Sequence, residues 1–156
     1  MFFNNAGEEL AYRGYLLVRL QELLGFLPAV IGTSAVFALS HVQAGVPWPS
    51  ALGVVFTSGI IFAVVFLRWQ SLPMALGFHA ATNVLQEFFG LRLSSMSLVT
   101  PDFAKEISAN QRLTVLCLLA GLNVAIALVL ARPLLFRSTP ARAASLEDDP
   151  ESLHPG

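Results

Sequence analysis

Residues 51–67 read ALGVVFTSGIIFAVVFL, and they decide the fold. The stretch carries no charge, and the charge-free run around it extends from Val42 to Leu67. A helix rises 1.5 Å per residue, so roughly 20 apolar residues cross the hydrocarbon core of a bilayer. Further along, LTVLCLLAGLNVAIALVLA at 113–131 is a second charge-free run of spanning length. PAVIGTSAVFALSHV (28–42) and LPMALGFHAATNVLQEFF (72–89) are shorter or carry polar groups. They predict helices buried among other helices rather than surrounded by lipid.

Composition points the same way. Of 156 residues 55% are hydrophobic and 12% charged, with a formal net charge of −1, and the mean hydropathy is +0.67. Soluble domains carry about 25% charged residues, so half that density means that most of this surface does not face water. With no basic run and no basic-aromatic interleaving, nucleic acid is excluded as a partner. Cys117 is the single cysteine and lies in an apolar run, which excludes a disulfide framework and a cysteine metal site. It reads as a small hydrophobe in a membrane helix.

The fold class is therefore an all-α, polytopic transmembrane bundle of about five helices, occupying residues 1–136. The first helix runs from Gly7 to Leu24 and stops at Gly25. The second follows Pro28, which suits a first helical turn, and ends near Val42. AGVPWPS (44–50) breaks the chain before the third helix, whose end is marked by Arg68, Trp69 and Gln70 at an interface. The fourth starts at Leu72–Pro73, a polar connection covers 90–112, and the fifth runs from Leu113 to Phe136. The tail at 137–156, which includes His154, is polar and too poor in large apolar residues to bury a core, so it is expected to be disordered. The first residues, MFFNNAGEE, lack a signal peptide's positive n-region and cleavage site. The expected location is an integral, multi-pass one, in the inner or plasma membrane if the source is bacterial.

Strongly polar residues inside spanning segments cost at least about 2.5 kcal/mol each on insertion scales and tend to be functional. That filter leaves Glu8, Glu9, Arg13, His41, His79, Asn83 and Glu87. Glu9 and Arg13 are spaced i, i+4, so a salt bridge along the first helix can keep both charged. Glu8 then points about 100° away from Glu9 and stays available, with Tyr12 one turn on to support it. His79 and Asn83 are also i, i+4 and project from one face. His41 lies four residues after Phe37, which packs beneath it. Plainer readings exist for each: a solvated helix start for the first three, a hydrogen-bonded packing residue for His41, interhelical glue for His79 and Asn83, and a membrane-interface position for Glu87. Two carboxylates, two imidazoles and an amide on three helices are hard to explain as independent accidents.

In these residues the chain resembles the CPBP family of intramembrane proteases, the CAAX prenyl protease 2 or Abi family that includes lysostaphin-resistance-protein-A-like members. Its pattern of EExxxR, FxxxH and HxxxN, each on its own helix, is met in order by EELAYR (8–13), FALSH (37–41) and HAATN (79–83). GYLL after Arg13 fits the usual continuation. The resemblance implies an intramembrane endopeptidase acting on a peptide or protein substrate, lipidated in the CaaX case. It makes Glu8 and His41 the residues that activate water, His79 and Asn83 the oxyanion hole, and Glu9 and Arg13 supporting residues. Family members carry further spanning helices before EExxxR. Here Glu8 follows Met1 by seven positions, which leads to the expectation of an N-terminal truncation.

The residues fit that chemistry independently. Attack on an amide needs a base for water and fixed donors where negative charge develops. Glu8, His41 and His79 also offer a carboxylate and two imidazoles to a zinc ion with an open water position. There is no HExxH, and asparagine is a poor zinc ligand. Direct water activation without a cofactor is the favoured reading and one zinc ion the alternative. Two rivals remain. GTSA (32–35) resembles the nucleophile segment of rhomboids without its final glycine, but it leaves Glu8 and Asn83 unexplained. A non-catalytic membrane scaffold or bacteriocin self-immunity protein on the same fold is the rival from another class.

Overall fold

The computed structural model describes residues 2–88 and 108–135, with side chains from 3–86 and 108–135. Residues 90–107 of the expected polar connection and the expected tail with His154 lie outside the described residues, as does the side chain of Glu87. Among the described residues the chain is helical, without strands, and forms five helices. Helix α1 covers 2–24, α2 Phe26–Gln43, α3 Trp48–Trp69, α4 Leu72–Phe88 and α5 Ala109–Leu135.

Three of these, α2, α3 and α5, are long and apolar enough to cross a membrane. Helix α3 is the centre of the bundle, packing against α2, α4 and α5. The share of the spanning window buried is 61% for α3, 33% for α2 and 6% for α5. The most apolar stretch in the middle of the chain is thus the buried one, and α2 is the more outward of the two. Leucine is as much at home against lipid as against protein, so hydropathy alone does not say which helix lies inside.

Helix α1 begins at Phe2, earlier than the first carboxylates suggest, so Asn4 and Asn5 are helical. Between Phe2–Glu9 and Val18–Leu24 it passes through a π-helical segment, Leu10–Leu17. Each π turn takes in about one more residue than an α turn, so the face presented beyond Leu17 departs from a 3.6-residue period. No side chain of Val18–Leu24 is buried. Gly25 ends the helix at φ 83°, a conformation that favours glycine. Gln70 takes the left-handed conformation at the end of α3, where its backbone N–H donates to the Phe66 carbonyl at 2.6 Å. Its side-chain amide donates to the Leu67 carbonyl at 2.9 Å, so one residue satisfies two carbonyls left open by the helix end.

The α2–α3 contact depends on small residues. A Cβ at Gly59 would lie 3.1 Å from Ser34 Cβ, 3.2 Å from Ser34 Cα and 3.3 Å from Phe37 Cδ1. Ser34 is fully buried there, with its hydroxyl donating to the Val30 carbonyl at 2.7 Å. The GTSA segment therefore packs helices, and the Ser34 hydroxyl is turned onto its own backbone. Helix α5 is fastened by Asn123, whose amide nitrogen lies 3.0 Å from Thr57 Oγ1 and 3.1 Å from Ser58 Oγ. Arg68 adds a contact of 3.4 Å to the Leu130 carbonyl.

Gly59→Ala should lower the thermal midpoint in detergent, by an amount corresponding to about 1–3 kcal/mol of overpacking. Gly77→Ala, where nothing lies within 4 Å of the new Cβ, should leave it unchanged or raise it. Equal melting of the two variants would contradict the close approach at Gly59.

Candidate functional site

The site forms where the start of α1 meets α4, with α2 and α3 closing it from the side. Glu9 and Arg13 are both fully buried and paired, Arg13 Nη1 lying 3.0 Å from Glu9 Oε1. Desolvating two charges costs several kcal/mol each unless hydrogen bonds and charge compensate. Here the compensation is partial, since Arg13 Nε is buried without a hydrogen-bond partner among the described residues. Arg13 Nη2 lies 3.5 Å from the Gly59 carbonyl oxygen. The guanidinium sits 4.5 Å from the Phe37 ring centroid and 5.2 Å from that of Phe62. The other carboxylate oxygen, Glu9 Oε2, is buried and has no hydrogen-bond partner among the described residues.

Glu9 also reaches across to α4. His79 Nδ1–H donates to Glu9 Oε1 at 2.8 Å. A carboxylate paired with arginine only accepts, so the proton belongs on Nδ1 and the opposite nitrogen, Nε2, faces outward from the pair. Glu8 Oε2 stands 3.7 Å from that Nε2. His79 is almost fully buried, whereas the Glu8 side chain keeps 22% of its exposure. The imidazole is stacked on Phe62 at 4.7 Å and meets Phe37 edge-on at 5.8 Å, so rings on two helices fix its plane. One turn along α4, Asn83 is buried and its amide nitrogen donates to Asn5 Oδ1 at 3.1 Å.

The structure thus brings together Glu8, Glu9, Arg13, His79 and Asn83. His41 stands at the edge of this group. It is half-buried, and its Nδ1–H donates to the Phe37 carbonyl at 2.9 Å. Its ring lies 4.5 Å from that of Phe37, the residue that separates it from His79. Because a carbonyl only accepts, the lone pair of a neutral His41 lies on Nε2. Among the described residues, no three His, Cys, Asp or Glu side chains are placed to hold a metal ion. Glu8, His41 and His79 are therefore not gathered as a three-ligand set, and no step is assigned to zinc.

Two features of the site were not singled out in the sequence. Tyr12 packs edge-on against Phe37 at 5.2 Å, and the hydrogen bond on Glu8 comes from the opposite direction, from Asn4 Nδ2 to Glu8 Oε1 at 2.6 Å. Asn5 is the second. Asn4 lies four residues ahead of Glu8, and that i, i+4 spacing is the signal that could have found it, whereas the partner of Asn5 lies 78 positions away and leaves no local signal.

The family model described as Type II CAAX prenyl endopeptidase Rce1-like matches residues 1–85, more than half of the chain and all three motif helices. No curated protein and no solved structure matches. Together with three helices able to cross a membrane, the match makes the chain an integral membrane protein.

Replacing Glu9 by leucine should strand the Arg13 charge and cost about 3–5 kcal/mol of stability. The double variant Glu9→Leu/Arg13→Leu should recover part of that loss, because no charge is left behind. Thermal unfolding of the three proteins in detergent measures it. A double variant that melts below Glu9→Leu would contradict the pairing.

Proposed function

Because this chain belongs to the Rce1-like type II CAAX prenyl endopeptidase family, we propose that it is a multi-pass intramembrane endopeptidase that hydrolyses a peptide bond at or within the bilayer. Its substrate is a peptide or protein, lipidated if the processing is of CaaX type. Glu8 and His41 activate the water, His79 and Asn83 hold the oxyanion, and Glu9 and Arg13 support them. The observation that carries this reading is His79, held at Nδ1 by buried Glu9 and faced at Nε2 by the part-exposed Glu8.

The roles follow from what each atom has left to offer. Glu8 is the carboxylate of the group that keeps access to solvent, so water can reach it while its buried neighbour is occupied by Arg13. It takes a proton from water, and His41 Nε2 is the second basic atom at the site's edge. The hydroxide forms a bond to the carbonyl carbon, and the carbonyl oxygen takes the negative charge. An N–H of Asn83 donates to that oxygen, and so does Nε2–H of His79 in its doubly protonated form, which keeps its Nδ1–H on Glu9. Arg13 already offsets Glu9, so the positive charge of this donor form of His79 is balanced by the Glu8 carboxylate beside it before proton transfer and by the oxyanion afterwards. When the C–N bond breaks, Glu8 returns the proton to the leaving amine and is ready for another water.

The test is cleavage of a farnesylated peptide ending in a CaaX sequence by purified, detergent-solubilised protein. Glu8→Gln keeps the size of the side chain and removes the base. It should lower kcat/KM by roughly 10²–10⁴-fold with the melting behaviour unchanged. A chelator should leave the wild-type rate unaltered. Equal rates in Glu8→Gln would remove Glu8 from the mechanism, and loss of activity with chelator would overturn the metal-free version.

A further inference from the structure

Positions 4 and 5 are both asparagine, and each sits one helical turn before one of the paired glutamates at 8 and 9. Asn4 Nδ2 donates to Glu8 Oε1 at 2.6 Å. Asn5 is buried, and its Oδ1 accepts from Asn83 Nδ2 at 3.1 Å, across the α1–α4 contact. The dipeptide therefore touches the two groups assigned above to opposite ends of the reaction, the base and an oxyanion donor. The inference rests on the endopeptidase reading.

Both groups need holding. A carboxylate and a terminal amide rotate broadly about their last bond, unlike a staggered aliphatic side chain. With Oε1 occupied by Asn4, Glu8 turns Oε2 toward the space beside His79 Nε2, where it stands at 3.7 Å. Asn83 has two amide hydrogens and one carbonyl oxygen. An acceptor at a fixed place decides which end of that amide faces the site. Asn5 Oδ1 takes one hydrogen, and the other remains on the same nitrogen, available to a second acceptor. A leucine at position 5 would remove this instruction while filling the same space, and the amide could then present its oxygen to the oxyanion, a repulsive contact.

We propose that Asn4 and Asn5 are positioning residues, Asn4 aiming the Glu8 carboxylate and Asn5 fixing the amide of Asn83 with its N–H toward the reacting carbonyl. Neither needs to touch substrate. Misplacement of a reacting group by about 1 Å can lower the rate by as much as 10²-fold without changing the fold.

The experiment measures kcat, KM and thermal midpoint for the full chain in detergent, with a farnesylated CaaX-type peptide as probe. Asn5→Leu and Asn4→Ala should each lower kcat by about 10-fold to 100-fold with KM within about twofold of wild type. Asn5→Asp, which keeps an acceptor in place, should recover most of the kcat lost in Asn5→Leu. Unchanged kcat in Asn5→Leu and Asn4→Ala would overturn the proposal. So would a loss that follows the fall in thermal midpoint and is not recovered by Asn5→Asp, since that pattern belongs to a packing role. If the wild type does not turn over the peptide, the endopeptidase reading fails and this inference with it. Turnover by the wild type with unaffected variants defeats this inference alone.

Discussion

Glu9 is bonded through one oxygen to Arg13 on its own helix and to His79 on another, and all three side chains are withdrawn from solvent. A lone glutamate in such a place would be neutralised or expelled, because the desolvation penalty of a buried charge exceeds what packing returns. Arg13 makes the carboxylate tolerable, and Glu9 makes Arg13 tolerable. Once the pair exists, its oxygen is the strongest acceptor available to an imidazole entering from α4. The constraint runs in both directions: α1 can bury its first turns only where α4 supplies His79, and α4 can bury His79 only where α1 supplies a charge. The remaining contacts are arranged around that joint. Phe37 and Phe62 cover the guanidinium and hold the imidazole plane, and Gly59 lets α2 come close enough to bring Phe37 there.

This explains why two adjacent glutamates have different surroundings. Successive residues on a helix are about 100° apart, so when Glu9 faces inward Glu8 sits at the rim. The buried member sets a charge and an orientation, and the rim member keeps contact with water. A hydrolase within a bilayer needs both, since the scissile bond must be shielded from bulk solvent while one water molecule reaches it. The π-helical segment that begins directly after Glu9 lies at this same place, as such segments often do at functional sites.

Much of this was legible in the sequence because the relevant spacings are local. The i, i+4 relations of Glu9 with Arg13, Phe37 with His41 and His79 with Asn83 follow from helix geometry alone. Charge-free runs at 51–67 and 113–131 marked two of the long helices. What was not legible depends on which helices touch. The link from Glu9 to His79 spans 70 positions. Helix α3 as the buried centre could not be told from a lipid-facing helix, because both are apolar. Asn4 and Asn5 fall before Gly7, where the sequence reading starts the first helix, whereas the helix begins at Phe2. The role of Asn123 was likewise not legible, because its partners, Thr57 and Ser58, lie on another helix and are only mildly polar.

The central claim is that α1 and α4 meet along the seam marked by Asn5, Glu9, His79 and Asn83. The most direct measurement is oxidative cross-linking in membranes of a chain carrying Asn5→Cys and Asn83→Cys, with the native thiol removed by Cys117→Ser. The account predicts rapid formation of an intramolecular disulfide, with none between Asn5→Cys and a cysteine placed on the outward face of α5 at Leu128. Failure of the first pair to cross-link, or equal yields from the two pairs, would contradict it.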